Sequence, residues 1–246
     1  GFRAAGGEVL VAFNNDAEAD PAWIEELVAA LERHPEAGMA TSRVRLFDRR
    51  DHLHTAGDFY RLDGIPGNRG VWQPDGPAYD EEEWVFGAAG VASAYRTSML
   101  DEIGMLDESF GSYLEDVDLS WRAQLAGYRC IYAPRAIVYH MVSATGGGAI
   151  ASFFVGRNTI WVIIKNYPGS LLRRFWPIVL RAQFRTSIEA LRACRGEAAR
   201  ARLRGQLAAL WRLPRLLRQR KIIQGRRRVS DEYLLNILTP LDETRG

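Results

Sequence analysis

Three groups of residues in this sequence have the types and spacing to do chemistry. Glu115, Asp116 and Asp118 crowd the start of a probable helix, where carboxylates can take protons or hold cations. Asn14-Asn15-Asp16 closes a short apolar run, Val9 to Phe13, and puts a carboxylate and two amides at a strand end. His140 ends a second apolar run, some two dozen residues after the acidic cluster. Polar residues just past a buried strand and ahead of a helix sit where open α/β sheets bind ligands. Read alone, Asn-Asn-Asp is equally a turn with Asx hydrogen bonds.

Elements that position these groups can be read from periodicity. Leu119, Trp121, Leu125 and Tyr128 give the helix after Glu115 an apolar face, and Gly127 is a C-terminal stop. Two strand-like runs follow, Cys130 to Ala133 and Ile137 to His140, separated by Pro134. Near the start, Asp20 is read as the N-cap of a helix with Pro21 in its first turn, and Trp23, Ile24, Leu27, Val28 and Leu31 form its apolar stripe. Gly38 to Phe47 reads as a strand, and Asp48 to Glu83 as an irregular loop rich in Gly and Pro, in which the pair His52 and His54 is read as solvated rather than metal-bound. Gly87-Ala88-Ala89-Gly90 lies within the apolar run Trp84 to Tyr95, where small residues allow a ligand or another backbone to come close. The glycine-rich stretch after His140 suits either a loop that moves over a ligand or a plain linker, and Phe153 to Tyr167 reads as a helix.

The composition, 47% hydrophobic and 25% charged over 246 residues, fits one globular domain with an appendage. The net charge of +2 conceals an asymmetry: Ser170 to Arg228 holds 17 Lys and Arg against 2 Glu, which leaves the rest acidic. Three readings fit this tail, with its Leu, Trp, Ile and Phe among arginines at helical spacing. It lies on an anionic membrane surface, packs on the domain or a second subunit, or binds nucleic acid; the last lacks any recognised module. No stretch reaches the ~18 uninterrupted apolar residues of a membrane span. Cys130 and Cys194 are read as unpaired thiols. The sequence opens on Gly1 and runs almost at once into a strand, so it is read as starting inside a domain.

Taken in order, Gly-Glu-Val-Leu-Val-Ala-Phe-Asn-Asn-Asp, Gly-Ala-Ala-Gly, Leu-Asp-Glu-Ser-Phe, Glu-Asp-Val-Asp-Leu-Ser-Trp-Arg, Ala-Gly-Tyr, Pro134, His140 and Gly-Arg-Asn resemble the family 2 glycosyltransferases, particularly bacterial rhamnosyltransferase-like members. The resemblance runs from about Gly6 to Pro168 and lacks the upstream strand and loop that hold the base and ribose. It implies a GT-A fold, a Rossmann-like mixed sheet flanked by helices, over residues 1–168; the charge and spacing of the tail make residues 169–246 a basic amphipathic helical extension. It further implies inverting transfer of a sugar from a nucleotide-diphosphate sugar to a glycan or lipid-linked acceptor in cell-surface polysaccharide synthesis, at the cytoplasmic face of a membrane. Asn14, Asn15, Asp16 and Gly90 would meet the donor. Asp16 and His140 would hold Mn²⁺ or Mg²⁺, with the imidazole favouring Mn²⁺. Asp116 would be the general base and Glu115 the alternative, with Asp118 supporting the helix start. Two other functions compete: a non-catalytic, membrane-associated binding module, and a nucleotidyltransferase, against which the Glu-Asp pair and the motifs after it argue.

Overall fold

The computed structural model describes residues 4–142 and 147–241. Nine strands and eight α-helices alternate along these residues. The strands are β1 (Val9–Phe13), β2 (Ala17–Ala19), β3 (Ala37–Leu46), β4 (Leu53–Thr55), β5 (Asp58–Tyr60), β6 (Pro66–Asn68), β7 (Glu83–Val85), β8 (Ala92–Arg96) and β9 (Arg129–His140). The helices are α1 (Trp23–Arg33), α2 (Thr97–Ile103), α3 (Glu115–Ala126), α4 (Gly148–Asn166), α5 (Gly169–Arg192), α6 (Glu197–Ala208), α7 (Leu213–Gly225) and α8 (Asp231–Ile237). They gather into two compact units. One holds Gly1–Phe59, Gly67–Met105 and Ala126–Thr145; the other holds Tyr60–Pro66, Leu106–Leu125 and Gly146–Gly246.

The first unit is built on a mixed sheet of order β1-β8-β3-β9-β2, with β4 beside β3 and β7 beside β9. β3 and β9 run parallel and the other pairs antiparallel. Both central strands are buried along most of their length, which explains their near-continuous apolar runs. Trp23, Leu27, Ala30 and Leu31 of α1 pack with Ala40, Val44, Ile131 and Val138 of those strands, and this is the core of the unit.

Three expectations are corrected here. The runs on either side of Pro134 form one strand, because the register slips between Ser42 opposite Ala133 and Arg43 opposite Ile137. Pro134 thus sits in a bulge, where its missing N–H costs no ladder bond. Asp20 closes the turn before α1 rather than capping the helix: its carboxylate accepts from Ala22 N–H at 3.1 Å and its carbonyl from Trp23 N–H at 2.9 Å. Residues 48–83 include short strands and are held down by Arg43, which pairs with Asp75 and, at 2.7 Å, with Asp80. The Gly-rich stretch read as a moving loop lies, over residues 143–146, outside the described residues.

The second unit contains α4 and also the helices beyond the boundary expected at residue 168. Its core is aromatic. Tyr60 stands edge-on to Trp121 with ring centroids 5.0 Å apart, Trp121 meets Tyr167 at 5.8 Å, and Phe110 meets Trp161 at 5.6 Å. α4 and α6 cross closely because two glycines remove side chains from the contact. A Cβ on Gly156 would lie 2.6 Å from the Arg202 carbonyl oxygen, and one on Gly205 would lie 2.1 Å from that of Phe153. Gly205→Ala should therefore destabilise the protein by at least about 1–3 kcal/mol, although alanine gains ~1 kcal/mol in helix propensity. Denaturant unfolding checks this, and a more stable variant would show that the two backbones are not pressed together.

Candidate functional site

The first unit brings Asp16 and His140 together through a strand too short to be read from sequence. After β1 the chain turns at Asn14-Asn15-Asp16 and pairs for three residues as β2 with the end of β9, placing Ala17 opposite His140. Met141 N–H then donates to the Asp16 carbonyl at 2.9 Å. As a result His140 Nε2 lies 3.1 Å from Asp16 Oδ1, across 124 positions of sequence. Asn14 N–H donates to the Val91 carbonyl at 2.9 Å, which ties the turn to the residue next to Gly90. Asn15 is exposed and Asn14 half-buried at this end of the sheet.

Sequence reasoning missed His54. It lies on β4, half-buried, with its Nδ1 3.2 Å from His140 Nδ1 and its ring centroid 4.7 Å from that of His140. Burial, reinforced by His140 and opposed by Asp16, pushes the His54 imidazole down to about 4. Asp16 Oδ1 can only accept, so at 3.1 Å it is His140 Nε2–H that donates to it; in the other tautomer His140 Nδ1–H donates to a neutral His54 and Nε2 is open to a cation. Trp72 stands beyond it, exposed and in left-handed backbone (φ 64°), with its ring centroid 6.5 Å from His54. The alternation of His52 and His54 was the one available signal, and it was obscured by the surrounding Gly and Pro.

The residues fit a hard divalent cation. Ligands in neighbouring octahedral positions, each about 2.1 Å from the metal, are about 3 Å apart, close to the Asp16–His140 spacing. Among the described residues no group of three or more His, Cys, Asp and Glu gathers as a metal site. Two protein ligands match the way Mg²⁺ and Mn²⁺ are often held, with water and substrate phosphates completing the shell.

The second unit carries the acidic pair. Asp107 accepts from Ser109 N–H at 3.1 Å, shaping a short turn that leads through Gly111 to Tyr113 and Leu114. Tyr113 and Leu114 both have φ of 66°, a conformation that costs about 1–3 kcal/mol for a side-chain-bearing residue. The Gly-Arg-Asn stretch, 156–158, holds this strained segment from α4. Asn158 Nδ2 spans the carbonyls of Phe110, Ser112 and Tyr113 at 3.2, 2.9 and 2.6 Å, and Arg157 also donates to the Phe110 carbonyl. The chain then enters α3 with Asp118 N–H bonded to the Leu114 carbonyl at 3.0 Å.

Glu115 and Asp116 occupy the first turn of α3 but sit in unlike surroundings. Asp116 Oδ1 accepts from Val117 N–H at 2.8 Å. Glu115 is half-buried, and its Oε2, itself out of contact with solvent, has no hydrogen-bond partner among the described residues. Burial, with the Asp116 charge adding to it, raises the Glu115 carboxyl to about 7. Asp118 does a different job. Fully buried, it pairs with Arg122 at 2.9 Å and Lys165 at 2.8 Å and accepts from Asn166 at 2.8 Å. Burial opposes its ionisation, yet Arg122 and Lys165 outweigh that and hold its pKa below the ordinary value. Lys165 also reaches Asp107 at 2.7 Å, so one buried ammonium ties the shaped turn, α3 and α4 together.

Comparison with known proteins follows the same lines. The chain is 31% identical over 150 residues to the O-antigen biosynthesis protein RfbC of Myxococcus xanthus, covering 58% of this chain and 12% of that one. It is 26% identical over 197 residues to the N-acetylglucosaminyl-diphospho-decaprenol L-rhamnosyltransferase of Mycobacterium tuberculosis, covering 73% of this chain and 61% of that one. The chain thus spans less than two thirds of the length of either relative. A crystal structure of GalNAc-T7 with UDP, GalNAc and Mn²⁺ superposes with a TM-score of 0.51 at 15% identity, over 67% of this chain and 32% of that one, a likeness of fold. The fold is of the GT-A type, a mixed sheet with flanking helices. The profile of the family described as Glycosyl transferase family group 2 matches residues 13–194, about three quarters of the sequence, and the chain belongs to that family.

Proposed function

We propose that this chain transfers a sugar from a nucleotide-diphosphate sugar to a hydroxyl of a glycan or lipid-linked acceptor, with inversion and with Mn²⁺ or Mg²⁺, in cell-surface polysaccharide synthesis at the cytoplasmic face of a membrane. Family membership and the two named relatives support the reaction class. The observation that carries the metal-dependent form is the approach of Asp16 Oδ1 and His140 Nε2 to 3.1 Å. Asp16 and His140 hold the cation, and His54 orients the His140 ring. Asn14, Asn15 and Gly90 meet the donor. The cation, when bound, supplies positive charge for the leaving diphosphate, so no protonated leaving-group acid is required.

Asp116 takes the proton of the acceptor hydroxyl as its oxygen attacks the anomeric carbon from the face opposite the phosphate. Burial and the neighbouring Asp116 charge raise the Glu115 carboxyl to about 7, which favours its protonated form beside Asp116. The strain at Tyr113 and Leu114, held by Asn158, fixes the direction in which the pair points.

Two measurements test the reading. Incubation with a panel of nucleotide-diphosphate sugars and a lipid-linked acceptor should release nucleoside diphosphate only with Mn²⁺ or Mg²⁺, and the product should have the opposite anomeric configuration. Release that persists in a chelator, or retained configuration, overturns the metal-dependent inverting form, and no release from any donor overturns the transferase reading. Asp16→Asn should weaken Mn²⁺ binding in the presence of UDP by about tenfold or more, read from the free-Mn²⁺ resonance, because a neutral amide is a poorer ligand for a hard cation. Unchanged affinity would remove Asp16 from the metal.

A further inference from the structure

Helix α5 has two apolar faces, and only one is used inside the protein. Leu171, Val179, Ala182 and Ala190 are buried. Trp176, Leu180, Phe184, Ile188 and Leu191 are exposed, with Trp176 at 56% and Phe184 at 59%. Their spacing of four, four, four and three places all five on one stripe of the helix. Arg174, Arg181, Arg185 and Arg192 are also exposed, and by the same helical geometry they line one edge of that stripe. Arg185 lies 3.8 Å from Glu189, an exposed pair that leaves the row strongly positive. Gln206 of α6 meets Ser187 of α5 at 3.1 Å; Leu207 of the same helix, and Leu210 and Trp211 in the 3₁₀ turn that follows it (Ala209–Arg212), are also exposed, Trp211 at 87%.

We infer that this face of α5 docks on an anionic lipid surface. The apolar stripe enters the boundary between headgroups and acyl chains while the arginine row meets lipid phosphates. Charge selects the occupant: a row of arginines beside the stripe disfavours an apolar contact with a second copy carrying the same row, and it matches the negative potential of anionic lipids. Nucleic acid would meet the arginines and could stack a base on Trp176 or Phe184, but it leaves the aliphatic Leu180, Ile188 and Leu191 of the stripe in water. Among the described residues no helix is long and apolar enough to cross a membrane, and docking of this kind requires none. The inference deepens the membrane location in the proposed function and rests on that reading, but it uses no residue assigned to donor, metal or proton transfer, so its failure leaves the transfer reaction to be judged by its own assay.

The test is co-sedimentation of the full chain with vesicles of phosphatidylcholine alone and of phosphatidylcholine with phosphatidylglycerol, at low and high salt. The wild-type chain should partition to the anionic vesicles about tenfold or more over the neutral ones, and less so at high salt. The double variant Arg174→Gln with Arg181→Gln should lose about tenfold of that partition. Trp176→Ser with Phe184→Ser should lose a comparable factor at either salt concentration, because it removes apolar rather than electrostatic binding. These positions are exposed, so unchanged circular dichroism and unfolding midpoints are expected for both variants. Equal partition to both vesicles, or variants that bind as the wild type does, overturns the inference. Light scattering that shows a wild-type dimer turned monomeric by the Trp176 and Phe184 changes, with vesicle binding unaltered, assigns the stripe to a second copy and also overturns it. Tighter binding to a DNA duplex than to vesicles, unaffected by those two changes, has the same consequence.

Discussion

Asp116→Asn should lower sugar transfer by about 10²- to 10⁴-fold while leaving donor and Mn²⁺ binding nearly unchanged. Asparagine keeps the size of aspartate and can still meet the Val117 N–H, so the helix start survives, but it cannot accept the proton of the acceptor hydroxyl. Glu115→Gln is the control. If Asp116 is the base, Glu115→Gln should retain most activity. If Glu115 is the base, the acid limb of the pH profile should fall near pH 7, and Glu115→Gln should abolish transfer. Should both variants transfer at the native rate, the acidic turn has no catalytic role.

The same pair makes a stability prediction with a definite sign. Glu115 is raised from 4.5 to about 7 in the folded chain, so folding favours its protonated form. Below pH 4.5 it is protonated in both states and costs nothing. As the pH climbs towards 7 the unfolded chain releases the proton first, and the folded state loses stability relative to it. Glu115→Gln should therefore match the wild type near pH 4 and exceed it in stability at pH 8, measured by denaturant unfolding. Equal stability at both pH values would mean that the carboxyl is not held protonated by its surroundings.

Lys165→Met should cost about 3–5 kcal/mol of folding stability, because it removes one partner of a buried ion cluster and leaves the carboxylates behind. Lys165 is 1% exposed and Asp118 fully buried, so water cannot replace the lost ammonium, although Arg122 and Asn166 continue to serve Asp118. Against a typical total of about 5–15 kcal/mol, the loss is enough to shift the unfolding midpoint far. Adding Asp118→Asn to the variant should recover part of it, since the remaining buried charge is removed. In the wild type, burial opposes ionisation of Asp107 and Asp118, yet Lys165 among their partners holds both below the ordinary 3.8. Their stabilisation is present above that value and is lost as the pH falls through the folded values. The gap between variant and wild type should accordingly narrow in acid. A loss under about 1 kcal/mol at neutral pH would show that the cluster contributes little net stability.

Local patterns in the sequence were enough to locate β1, the helix with Trp23, Leu27 and Leu31 on its inner face, and α3 with its acidic start and Gly127 stop. Each of these is decided within a few turns or alternations, where burial periodicity is visible. The order of the acidic, small-residue and histidine motifs also pointed to the family before any coordinates. What the tertiary structure decided lies at long separations. β2 is three residues long and exists because β9 offers an edge beside it, and that pairing alone sets Asp16 against His140. His54 reaches His140 across 86 positions, from a stretch whose Gly and Pro hid its strand. In the sequence Lys165 is a lone ammonium among Ile, Val and Trp, and its purpose appears only when Asp107, 58 positions away, is brought to it. The apolar residues of α5 are indistinguishable in sequence, yet packing buries Val179 and leaves Trp176 and Phe184 in solvent. A one-dimensional pattern reports which side chains avoid water, while only the packed chain determines which of them have found a partner.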